Sequence, residues 1–220
     1  MHIQTPTEIT EPIFSGYLEL PGETFREERT LSDIGRPEWW FAREILGESF
    51  KPPQGDETYL LVRLAFSLMP PKNHEIDEAQ LTALLTCPRS SLQPVVFDLF
   101  PREVLDESKT DVKVTLGPSL KLKEAQASAG SIEASIQIPK VEPILTTSGV
   151  GGTKPTWFYR KHKRHPILGT RMVYAVIGFP SAAETMTIQL GLTARVRGRF
   201  GLLTMALPST EEAKVTRTIP

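Results

Sequence analysis

In TMTIQLGLTARVR, residues 185–197, an apolar side chain falls on every second position: Met186, Ile188, Leu190, Leu192, Ala194 and Val196. Thr, Gln, Gly and Arg fill the positions between them. Side chains of an extended chain alternate between two faces, so this pattern predicts a strand with one buried and one wet face. Gly198 interrupts it before FGLLTMAL resumes, and Arg197-Gly198-Arg199 reads as a hairpin turn. The same period runs through Val112, Val114, Leu116, Leu120 and Leu122, with Gly117-Pro118 marking a bulge or bend. After the polar loop EAQASAGS it returns at Ile132, Ala134, Ile136 and Ile138, which completes a second hairpin. RMVYAVIGF is apolar on both faces, as a strand covered from both sides should be. YLLVRLAFSL and VVFDLF are further strands.

Two segments read as helices. Pro37 and Glu38 suit a first turn, Trp39, Ala42 and Leu46 share a helical face, and Gly47 caps the end. The second helix runs from about His74 to Thr86. Asn73 is its N-cap, Glu75, Asp77 and Glu78 oppose the dipole, and Cys87-Pro88 stops it. Ile76, Leu81, Leu84 and Leu85 form its apolar stripe. Strands at short spacing, with helices confined to the first 90 residues, predict a mainly β protein, an antiparallel β-sandwich with two short helices. One domain over 1–220 is expected, with the Gly-rich stretch near 148–155 as the one place to divide it. The polar ends, 1–12 and 209–220, are expected to be loose.

Composition narrows the class. The 220 residues are 40% hydrophobic and 23% charged, enough apolar material for a core and too much for disorder. Nineteen prolines suit short strands joined by fixed turns. The single cysteine, Cys87, rules out an intrachain disulfide and a multi-cysteine zinc site, and points to a reducing compartment, the cytoplasm. No secretory leader is visible at the N-terminus, and no apolar run reaches the roughly 18 residues that span a bilayer.

Charge changes the picture further. Lys154, Arg160, Lys161, Lys163, Arg164, Arg171, Arg195, Arg197 and Arg199 face one carboxylate, Glu184, between 154 and 208. Residues 1–153 hold 14 Lys/Arg against 23 Asp/Glu, so the formal net charge of -1 hides two opposed regions. Segregation of this kind points to a partner surface rather than to a fold. Its densest part is YRKHKRH, Tyr159 to His165. Burying such charges unpaired costs several kcal/mol each, so this run is expected on an edge strand or in an exposed loop.

No catalytic motif accompanies the charge. GVGGTK lacks the Gly-Lys-Ser/Thr order of a phosphate-binding loop and reads as a connector. His162 and His165 sit among four cations with no Cys, Asp or Glu to complete a metal shell, so no metal and no cofactor is expected. In Trp39-Trp40-Phe41 the three rings cannot all face one core, which leaves Trp40 as a candidate interface aromatic.

The expected function is therefore a non-catalytic interaction or assembly module. Its surface would be Arg160, Lys161, Lys163, Arg164, Arg171, Arg195 and Arg197, and its partner an acidic protein surface, another copy of the chain included. A second reading gives the same residues to single-stranded RNA or DNA, with Trp157, Phe158 and Tyr159 stacking on bases. The third is an enzyme whose site is assembled from distant residues.

Overall fold

The computed structural model describes residues 12–18, 30–47, 50–52, 57–107, 112–115, 141–180, 183, 185–198, 201–206 and 213–218. In chain order the first elements are β1 (Pro12–Tyr17), β2 (Leu31–Gly35), β3 (Glu38–Phe41), α1 (Ala42–Leu46), β4 (Glu57–Met69) and β5 (Glu75–Thr86). Then come β6 (Val95–Phe100), β7 (Glu103–Glu107), β8 (Val112–Thr115), β9 (Val141–Ser148) and β10 (Thr156–Arg160). The last are β11 (Gly169–Pro180), β12 (Thr185–Gly198), β13 (Gly201–Ala206) and β14 (Ala213–Thr218).

The strands form two antiparallel sheets. The first runs β1-β2-β4-β11-β6, with β3 also paired to β4. The second runs β13-β12-β5-β10-β9-β7-β8, with β14 also paired to β12. In each sheet one long strand carries two short partners in tandem along a single edge. Leu31–Ile34 and Glu38–Phe41 share that edge of β4, while residues of β13 and β14 share that of β12.

Alternation places the core. Met186, Ile188, Leu190, Leu192, Ala194 and Val196 of β12 are all buried, as their spacing predicts. They join one hydrophobic cluster with Leu60, Val62, Leu64, Phe66 and Leu68 of β4 and Val173, Ala175 and Ile177 of β11, so residues of both sheets make a single core. The rings of Phe66 and Tyr159, one from each sheet, meet edge-to-face at 5.4 Å. A second cluster lies on the other face of the first sheet, where Ala42 and Leu46 of α1 and Phe50 cover Leu61, Phe100 and Val176. β4 is thus buried on both faces from Leu60 to Leu68.

Both helix expectations need correction. Residues 75–86 form strand β5 in the interior of the second sheet, paired with β10 and β12. Its buried positions, Ala79, Leu81, Ala83 and Leu85, keep period two, but a register shift opposite Asp77 separates Ile76 from Ala79 by three. That bulge, together with good helix formers such as Glu, Ala, Gln and Leu, imitates a helical stripe. Pairing on both edges overrides the propensity. Asn73 is no N-cap: it turns the chain with φ 66°, a left-handed conformation that Asn tolerates. The first helix is shorter than expected. Glu38–Phe41 is a strand, α1 has five residues from Ala42, and Gly47 ends it with φ 69°.

The Val112 hairpin is seen only in part: Val112–Thr115 is β8, and residues 116–140 lie outside the described residues. Gly198 pairs with Gly201 across the β12–β13 hairpin, and Arg199, the last residue of the expected turn, lies outside them too. Of the ends expected to be loose, 1–11 is not described, whereas within the other Ala213–Thr218 is strand β14.

Candidate interaction surface

The basic run straddles a strand end. Trp157 and Tyr159 of β10 point inward and are buried, while Phe158 and Arg160 are exposed. Of the three aromatics read as base-stacking platforms, two therefore belong to the core. Burial raises the Tyr159 hydroxyl above its ordinary value, and Arg171 offsets this only in part. Beyond Arg160 the chain leaves the sheet. Lys161 N–H donates to Asp77 O at 2.8 Å, and His162 and His165 then form an isolated antiparallel bridge. Lys163 and Arg164 occupy the turn between those histidines, both exposed. The Arg171 guanidinium donates to the carbonyls of Pro166 (2.8 Å) and Thr170 (3.1 Å) and so ties down the return of the loop. Of the two settings expected for the run, the exposed loop applies from Lys161 onward.

Lys161, Arg195 and Arg197 are neutralised within the subunit. In register, Arg195 faces Glu78, and their side chains pair at 2.9 Å. Arg197 donates through Nε (2.9 Å) and Nη2 (2.7 Å) to Asp77 Oδ2, which holds its guanidinium above its ordinary value. Lys161 pairs with Glu75 and lies 3.8 Å from Asp77. The bulge of β5 explains the sharing, because Asp77 has no register partner on β12 and serves both Arg197 of β12 and Lys161 just beyond β10. Arg160, Lys163 and Arg164 have no ion pair among the described residues. The seven expected site residues therefore split three ways: three are ion-paired to β5, Arg171 is spent on backbone carbonyls, and three face solvent.

Trp40 is half-buried, with the Arg63 guanidinium 5.3 Å from its ring centroid. Arg63, 4% exposed, also pairs with Glu38, its register partner on β3. The sequence reading missed this group, although a cation inside the apolar run YLLVRLAFSL demands a partner. It missed Asp98 as well, a fully buried carboxylate that accepts from Leu99 N–H (2.8 Å) and Arg102 Nε (2.6 Å).

GVGGTK works as a connector. Gly151 N–H donates to Val96 O at 2.8 Å, and the Gly152 and Thr153 carbonyls accept from Val96 and Leu85, so the loop's polar groups are engaged with strands of both sheets. At Gly149, with φ 102°, a Cβ would lie 2.3 Å from Lys154 O, which no other residue could accommodate. The His162 and His165 rings lie 6.0 Å apart, and no group of three or more His, Cys, Asp or Glu side chains suited to a metal occurs among the described residues. Cys87 is buried, which pushes its thiol up and away from the reactive thiolate. No described helix is long and apolar enough to cross a membrane.

No family model matches the chain, and no curated protein matches it in sequence. Among solved structures it is similar to the delta-toxin of Clostridium perfringens, at a TM-score of 0.38 and 6% identity, over 92% of this chain and 91% of that one. A pore-forming protein follows at 0.36 and 5%, over 93% and 94% of the two chains. The Clostridium perfringens NetB toxin in its membrane-inserted form gives 0.35 and 7%, over 92% and 91%. At that level of likeness, function has to be argued from the chain's own residues.

Proposed function

We propose that this protein is a non-catalytic interaction module, a β-sandwich that docks on an anionic surface through the basic turn after β10. One observation carries the reading: Lys161, Arg195 and Arg197 are neutralised by β5, while Arg160, Lys163 and Arg164 reach solvent without an ion pair among the described residues. Cations left open on a projecting turn steer and orient a partner of opposite sign. The acidic first part of a second copy is one such surface. We place the module in the cytoplasm, where a single buried thiol stays reduced.

Retention on polyglutamate–agarose, together with sedimentation velocity at low and high salt, tests the reading. The native chain should be retained or self-associate at low salt, and the Lys163→Glu/Arg164→Glu variant should lose this while keeping its Tm. Retention that ignores the double reversal removes the proposal. Retention on single-stranded DNA alone would transfer the turn to nucleic acid.

A further inference from the structure

Three large exposed apolar side chains lie in a row along one end of the first sheet, starting from the foot of the basic turn. Tyr17 pairs with Leu31 in register, Leu31 pairs with Met69, and Leu168 lies one residue beyond the Gly169–Leu68 pair. Tyr17, Met69 and Leu168 are 52%, 50% and 53% exposed. Singly such residues are ordinary, but a row across the ends of four neighbouring segments is a contiguous patch. Cations flank it within the same two connections. Lys72 follows Met69 in the β4–β5 turn, Lys163 and Arg164 precede Leu168 in the β10–β11 turn, and all three are exposed. Among the described residues, Glu75, Asp77 and Glu78 at this end are already occupied by Lys161, Arg197 and Arg195. One row inward, Asp33 accepts from the Ser15 (2.5 Å) and Ser67 (2.8 Å) hydroxyls, so the apolar zone stops at the strand ends.

Resting on the docking reading above, we infer that the anionic surface is a lipid bilayer, with Tyr17, Met69 and Leu168 entering the headgroup region and Lys72, Lys163 and Arg164 meeting anionic headgroups. Charge complementarity selects this occupant. The cytoplasmic leaflet is negative and attracts each nearby Lys or Arg, while burial of apolar side chains at the acyl boundary adds an unscreened contribution. A row of apolar side chains at strand ends, flanked by cations on the adjoining turns, suits a headgroup-covered surface.

Flotation of the full chain with phosphatidylcholine vesicles, with and without one part phosphatidylserine in five, tests the inference. Binding is expected only with phosphatidylserine. Lys163→Gln/Arg164→Gln should weaken it about thirtyfold, from roughly fivefold per cation. Leu168→Asn, and separately Met69→Asn, should each weaken it about tenfold with an unchanged circular dichroism spectrum. No flotation overturns the inference, and so does flotation that responds to the cations but to neither apolar variant, which is adsorption by charge alone. If vesicles fail while polyglutamate retention still depends on Lys163 and Arg164, docking stands and its surface is a protein. If both fail, both readings fall.

Discussion

The outer face of the first sheet is roofed where α1 and Phe50 cover Leu61, Val176 and Phe100, whereas the outer face of the second carries Thr, Gln and ion pairs into water. Both faces belong to strands whose other side fills the shared core. What differs is the residue type on the odd positions. β12 places Thr187, Gln189, Thr193, Arg195 and Arg197 there, and water suffices. β4 places Leu61 there, so a cover is obligatory, and the Phe50, Tyr59 and Phe97 rings pin it edge-to-face with centroids 5.4–5.9 Å apart. A strand's need for a third layer is thus written in its second face.

The largest effect should separate these two faces directly. Leu61→Ala, under the roof, should cost about 2–5 kcal/mol in urea unfolding. Thr193→Ala, on the open face, should stay within about 0.5 kcal/mol. Similar costs would mean that the roof contributes little and that the contrast between the faces is wrong.

Alkaline pH sharpens the comparison next. Tyr59 lies at the roof, its hydroxyl donating to Glu57 Oε2 at 2.7 Å, and burial followed by that carboxylate pushes its pKa from 10.0 up to about 12. The folded state therefore holds the proton more tightly than the unfolded one. Its contribution is complete below pH 10 and is lost as pH rises through about 12. Denaturant midpoints of the native chain should fall across that window, and Tyr59→Phe should flatten the fall. A fall of unchanged steepness would leave Tyr159, raised by burial in the core, as its source.

How much of this was legible in the sequence depends on local pattern against pairing. The β12 alternation was readable because its six inward residues are aliphatic and nothing interrupts them. β5 was misread because its bulge breaks period two at Asp77 and its residues favour helix in isolation; only the two partner strands decide it. At the candidate site, the excess of positive charge was visible, but its neutralisation was not. Arg197 and Asp77 are 120 residues apart, and only the pairing of β12 with β5 around its bulge brings them together. Arg63 with Glu38 was equally hidden, 25 residues apart on adjoining strands.

A smaller effect is expected from the open face's ion pairs. Asp77→Ala removes the acceptor that Arg197 and Lys161 share, and should lower Tm by about 2 °C, with the loss shrinking at high salt. A loss indifferent to salt would assign Asp77 a packing role at the bulge.

The smallest effect should come from the turn, and it isolates what the comparison implies for function. Lys163 and Arg164 lie on a two-residue turn with no register partner, so reversing both to Glu removes no ion pair among the described residues. The Tm should move by no more than about 1 °C. Arg197→Glu is the control, since it carries only half that change of charge but places it against the β5 acids and must introduce repulsion against Asp77, Glu75 or both. It should destabilise the chain measurably more than the double reversal in the turn. Equal destabilisation would show that the turn cations are also spent on holding the fold, and the surface offered to a partner would then shrink to Arg160. A stable double variant whose salt-dependent association is lost would instead confirm that the cations paired to β5 serve the fold while those of the turn serve the partner.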